Sequence, residues 1–113
     1  SRYPIEPIVI CRWLGFDLGN VVKYLARAHY KGRELEDCQK ALWYLEDTMQ
    51  SGAAPEAIPH QAAKGLKLLA RHCETPGAED ALDLIAAGDL IHAHAAVKMA
   101  IEKLEAGNGR TQK

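Results

Sequence analysis

Apolar residues recur along this chain at spacings of three and four, which is the signature of helices packed on one face. Ile8, Cys11 and Leu14 follow Pro7, which stands at a first-turn position that tolerates its missing N–H, and Gly15 reads as the stop. Asp17 reads as the N-cap of a second helix that carries Leu18, Val21, Val22 and Leu25 and is closed by Gly32. A third helix is predicted from about Glu34 to Met49, with Leu35, Cys38, Leu42, Leu45 and Met49 on one face and Gly52 beyond its end. Ala62, Leu66, Leu69, Ala70 and Cys73 line a fourth. Thr75-Pro76 is a start signal for a fifth, with Ala78, Ala81, Leu82 and Ile85, ending at Gly88. Asp89 caps a sixth through Val97, Ile101 and Leu104 to Gly107, after which residues 108–113 are expected to fray. No segment alternates with period two for long enough to be a strand. The expected fold is all-α, a compact bundle of about five to six helices.

Length and composition sharpen this picture. A chain of 113 residues is one domain, large enough to bury a real core. Its two parts differ in character. All seven aromatics lie at or before Tyr44, whereas Ala supplies 15 of the 61 residues from Ala53 onward. The reading is therefore a single domain, 1–113, with an aromatic-rich part over 3–50 and an Ala-rich helical addition over 53–107, joined through the linker-like residues 51–59. Ser1 in place of Met predicts that residues precede it in the native chain. The formal charge is −1, with Lys+Arg 14 against Asp+Glu 15, and mean hydropathy is −0.23. That balance argues against a dedicated nucleic-acid binder, and no apolar run is long enough for a membrane span. Cys11, Cys38 and Cys73 form no C-x-x-C pair and read as reduced, core-facing thiols of a cytoplasmic protein.

The candidate chemistry lies on the second and third helices. Asn20, Lys23, Tyr24, Arg27 and Lys31 share the face opposite the apolar stripe, so an amide, several cations and a phenol stand in a row. Such a row suits a phosphate or carboxylate, with Asn20 near the positive end of the helix dipole; a solvated basic face is the plainer alternative. On the third helix Glu36, Lys40, Trp43 and Asp47 follow one row, and Asp37, Lys40 or Ala41, and Tyr44 the next. Trp43 and Tyr44 cannot both enter the core, so one of them is expected at a helix margin, an interface or over a ligand. Glu34 and Asp37 have the i, i+3 spacing of a carboxylate pair for a divalent metal. Asn20 and Lys23 stand where the second helix would need its own acidic pair, so the carboxylates read as first-turn residues facing the dipole and no metal site is expected. His92 and His94 point to different sides of a helix. The chain contains no H-E-x-x-H, no phosphate loop of the G-x-x-x-x-G-K-[ST] type and no G-x-S-x-G.

Three ordered blocks carry a resemblance: Tyr3-Pro4-Ile5-Glu6-Pro7-Ile8, then Phe16-Asp17-Leu18-Gly19-Asn20-Val21-Val22-Lys23-Tyr24-Leu25-Ala26-Arg27-Ala28, then Asp37-Cys38-Gln39-Lys40-Ala41-Leu42-Trp43-Tyr44-Leu45. Over roughly residues 3 to 50 the chain resembles the SaV-like family of bacteriophage proteins. Most of that family has no assigned function, and one phage member is a deoxynucleoside monophosphate kinase without a phosphate loop. The chain departs from the family where His29-Tyr30-Lys31 replaces a lysine pair, and its Ala-rich half has no counterpart there.

The resemblance implies a phage or prophage accessory protein in the cytoplasm of a bacterial host, binding a nucleotide or acting as such a kinase. In that reading Lys23, Arg27 and Lys40 hold phosphates, Asn20 caps them and Tyr24 or Tyr44 stacks a base, with Glu6, Asp37 and Trp43 in support. No cofactor is identifiable, beyond Mg²⁺ arriving with the nucleotide of a kinase. The alternative is a non-catalytic helical module for interaction or oligomerisation. The double change Lys23→Ala with Arg27→Ala separates the two, because only a ligand site should lose its binding. The partners expected are a nucleotide and further copies of the chain, most simply a two-fold dimer built on the first three helices, with neither nucleic acid nor membrane.

Overall fold

A computed structural model describes residues 7–27, 32–52 and 54–111, with side chains up to residue 107, and these residues form six helices. They are α1 (Pro7–Cys11), α2 (Phe16–Arg27), α3 (Glu34–Ser51), α4 (His60–Arg71), α5 (Ala78–Ala86) and α6 (Leu90–Thr111). There is no strand among the described residues, so the all-α expectation holds. No helix is long and apolar enough to cross a membrane among those residues. Tyr3, Glu6, His29, Tyr30 and Lys31 lie outside the described residues.

Helices α2 and α3 pair antiparallel and form the front of the molecule. Arg27 meets Asp37 near one end of the pair, Tyr24 meets Lys40 and Tyr44 further along, and Asp17 meets Asp47 at the other end. Behind them α3 packs on α6, and α5 lies against both α4 and α6, while α1 bridges α2 and α4. The core draws on every helix, including Leu18, Val21, Val22 and Leu25 from α2, Leu66 and Leu69 from α4, Leu82 and Ile85 from α5, and Val97 from α6. Burying each Leu or Ile contributes about 1.5–3 kcal/mol, before entropy is counted. The radius of gyration is 13.3 Å, the value expected of a compact domain of this length. A polar bond ties the two parts of the chain together: His94 Nε2 on α6 lies 2.9 Å from Glu46 Oε2 on α3.

Several local expectations need correction. Helix α2 begins at Phe16, where the Gly15 carbonyl accepts the Gly19 N–H at 2.9 Å, so Asp17 is a first-turn residue and not the N-cap. Helix α5 begins at Ala78 behind Gly77, so Pro76 lies outside it and buried Thr75 gives only its carbonyl, to the Ala78 N–H at 3.1 Å. The buried stripe of α3 is Asp37, Cys38, Ala41, Leu45 and Thr48, turned from the predicted one so that Met49 is 38% exposed. The reason is that α3 is held between α2 and α6, which centres its buried face between the two neighbours. Thr48 tolerates burial because its hydroxyl donates to the Tyr44 carbonyl at 2.9 Å. Gly107 does not end α6, which continues to Thr111. Asp89 does cap that helix as expected, accepting the His92 N–H at 3.1 Å.

Candidate functional site

The polar row of α2 and the polar row of α3 face outward side by side, because each helix spends its apolar stripe on the core beneath. Three cations from the two helices gather on one ring. Lys23 Nζ lies 4.6 Å from the Tyr24 ring centroid, Arg27 Cζ 5.0 Å and Lys40 Nζ 5.4 Å. The electron-rich face of an aromatic ring attracts cations, which offsets part of their mutual repulsion by about 0.5–1 kcal/mol each at an exposed site. Tyr24 also stacks on Tyr44, with centroids 5.9 Å apart and planes 13° from parallel. Phe16 and Trp43 meet Tyr44 edge-on at 6.1 and 5.1 Å. The two tyrosines expected to stack a base therefore stack on each other, which leaves Phe16, 77% exposed, and Trp43, 61% exposed, as the open aromatic surfaces.

Carboxylates temper the cluster without cancelling it. Asp37 is 1% exposed, and its Oδ2 accepts a bond from Arg27 Nε at 3.5 Å, while Oδ1 is buried with no hydrogen-bond partner. The first-turn acid of the sequence reading is thus an inward-facing anchor for Arg27. Lys40 pairs with Glu36 at 3.3 Å, and Arg33 joins the same carboxylate at 3.3 Å. The hydrogen bond from Lys40, and behind it the Arg33 charge, hold the Glu36 carboxyl below its ordinary range. No described carboxylate forms an ion pair with Lys23. Asn20 turns its amide back to the Phe16 carbonyl at 2.8 Å, and with Lys23 it lines a groove of about 380 Å³ between α1 and α2. A second concavity of about 480 Å³ between α4 and α5, lined by Lys67, Arg71, Glu79 and Asp83, holds none of the predicted residues.

Other chemistry is narrowed by the structure. Among the described residues no three His, Cys, Asp or Glu side chains stand together as a metal site. Burial, and then the Asp37 charge beside it, push the Cys38 thiol up to about 11, and burial also raises Cys11, so neither is a ready thiolate nucleophile. His92 pairs with Asp89 at 2.7 Å and His94 with Glu46, which gives each histidine a structural partner.

Sequence reasoning missed the pair formed by Asp17 and Asp47. The Asp47 carboxyl, by hydrogen bond and by charge, raises the Asp17 pKa from its ordinary 3.8. The signal was present in the antiparallel pairing, which sets position 17 opposite 47 once 27 is opposite 37. Below pH 3.8 Asp17 is protonated folded or unfolded, so the pair costs nothing. Above that the unfolded chain ionises first, so the cost grows until Asp17 ionises in the fold as well and is full beyond that point. Asp47→Asn is therefore expected to raise the melting temperature at pH 7 and leave it unchanged at pH 3. Equal shifts at both pH values would refute the repulsion.

Residues 3–46 match the model of a family described as a protein of unknown function (DUF3310). That span takes in α1, α2 and most of α3, and stops short of the Ala-rich half. No curated protein and no solved structure matches the chain.

Proposed function

We propose that the outer face of α2 and α3 binds a phosphate-bearing ligand, most concretely a nucleotide. One observation carries the reading: cations from two helices, Lys23, Arg27 and Lys40, converge within 5.4 Å of a single ring centroid. A dianionic phosphate beside them relieves the repulsion between three like charges and takes charge-assisted hydrogen bonds from exposed donors. Trp43 and Phe16, open to solvent at the edge of the same cluster, offer the flat apolar surface that a base requires. Phosphoryl transfer is the finer form of the proposal, suggested by the resemblance to a family with one kinase member. Mg²⁺ would then enter with the nucleotide.

The structure changes which substitutions test this cleanly. Arg27 anchors buried Asp37, so its removal disturbs the fold as well as the site. Lys23→Ala with Lys40→Ala removes two exposed donors whose surface interactions contribute little to stability. A saturating nucleotide, at about 100 times its Kd, should stabilise the native chain by about 2.7 kcal/mol, a melting shift on the order of 10 °C. The double variant should melt near the native temperature alone and lose that shift. Absence of a shift with every nucleoside mono-, di- and triphosphate would sink the proposal, and a coupled assay decides whether transfer follows binding.

A second reading has its own observation. Ile8, Phe16 and Trp43 on the first three helices, and Trp13 in the turn between α1 and α2, are all about half exposed or more, as on a surface that docks another protein. In that case the lysine double variant keeps its partner.

A further inference from the structure

The face formed by α2 and α3 is electrically polar from one end to the other. Lys23, Arg27 and Lys40 crowd one end, joined by Arg33 and only partly balanced by Glu34, Glu36 and Asp37. Asp17 and Asp47 stand together at the opposite end, and no described cation forms an ion pair with either. Trp43 and Tyr44 occupy the ground between, and Phe16, the first residue of α2 beside Asp17, joins them through Tyr44. Asp17 and Arg27 are ten positions apart on one helix, which is about 15 Å at 1.5 Å per residue.

A surface whose polarity reverses from end to end is complementary to itself. Rotation by half a turn about an axis through the aromatic band lays each acidic end on the other copy's basic end. The same rotation sets the two exposed aromatic bands against each other. We infer that a second copy of this chain docks on this face, with its Asp17 and Asp47 against Lys23 and Lys40 and its Trp43 beside ours. The inference rests on the charge pattern and not on the nucleotide reading, although the two draw on the same lysines. Size sets the strength. Helix α3 is about 27 Å long, and two helices side by side present a strip on the order of 500 Å² per copy. That is below the roughly 800 Å² per partner of a standard interface, so the dimer is weak and dissociates at low concentration.

The test is light scattering on the native chain from about 10 µM to about 1 mM, near physiological salt and at about 1 M salt. The mass should climb from 12.4 kDa towards double that at the lower salt and lag behind at the higher. Asp17→Lys/Asp47→Lys and Lys23→Glu/Lys40→Glu should each associate at least tenfold more weakly, and an equimolar mixture of the two should pair again. Helical content by circular dichroism checks that both variants fold. If either does not, the milder Asp17→Asn/Asp47→Asn and Lys23→Gln/Lys40→Gln carry the same comparison. A native chain that stays monomeric throughout overturns the inference. So does self-association that both reversed variants retain in full, which would place another face, or another occupant, in this role.

Discussion

Arg27→Ala is expected to destabilise the protein by about 3 kcal/mol, far more than the loss of a half-exposed cation ordinarily costs. The reason lies beneath it. Asp37 is 1% exposed and has Arg27 as its charged partner, at 3.5 Å, while its second oxygen has no hydrogen-bond partner at all. Removing the guanidinium leaves a carboxylate out of water with nothing to offset its charge, and the cost of that unpaired charge exceeds the worth of the pair itself. Solvent reaching Arg27, whose side chain is 41% exposed, keeps the figure at the low end of the range for broken buried pairs. Adding Asp37→Asn to Arg27→Ala should recover most of the loss, because Asn keeps the shape and carries no charge. Urea denaturation of the native chain and the two variants measures this. A loss under about 0.5 kcal/mol for Arg27→Ala would show that Asp37 is solvated in a way its burial denies.

The second large effect is expected at Gly77, which enters α5 with φ +92°, a conformation that residues with a Cβ rarely adopt. A Cβ there would also stand 3.0 Å from the Ala100 Cβ on α6, tighter than such atoms ordinarily pack. Gly77→Ala should therefore cost about 2–3 kcal/mol, one part from the backbone and one from pushing α5 away from α6. Gly88 supplies the comparison. It has φ +78° with open space around it, so Gly88→Ala pays the backbone part alone, about 1 kcal/mol. Equal losses at the two positions, in thermal or urea unfolding, would show that the contact with Ala100 is soft.

Helix count and type were legible because each helix satisfies its own periodicity, and tertiary packing only confirmed what the spacing of Leu, Val and Ala already required. The ends were less legible. Thr75-Pro76 and Asp17 have the residue types of caps, but where a helix starts depends on the chain's approach, which neighbouring helices set. The candidate site residues were legible as a row on α2, since Lys23, Tyr24 and Arg27 must share a face whatever lies opposite. That Lys40 joins them from α3 depends on register between helices, which no single-helix pattern contains. The burial of Asp37 was hidden for a related reason: a carboxylate in a first turn reads as a solvated residue facing the dipole. Only the turn of α3 towards both α2 and α6 sends it inward.

The antiparallel pairing of α2 with α3 has a further consequence, for the order in which the molecule assembles. Every side chain of the proposed site lies between Phe16 and Asp47, on two helices adjacent in sequence, and the Arg27–Asp37 contact closes a loop of only ten residues. Short loops cost little chain entropy to close, so this hairpin is expected to form early. The bond from Glu46 to His94 spans 48 residues and can form only after α4, α5 and α6 have wrapped behind it. Folding is thus expected to run from the α2–α3 face to the helices behind it, and weakening α6 should speed unfolding while leaving the rate of folding nearly untouched.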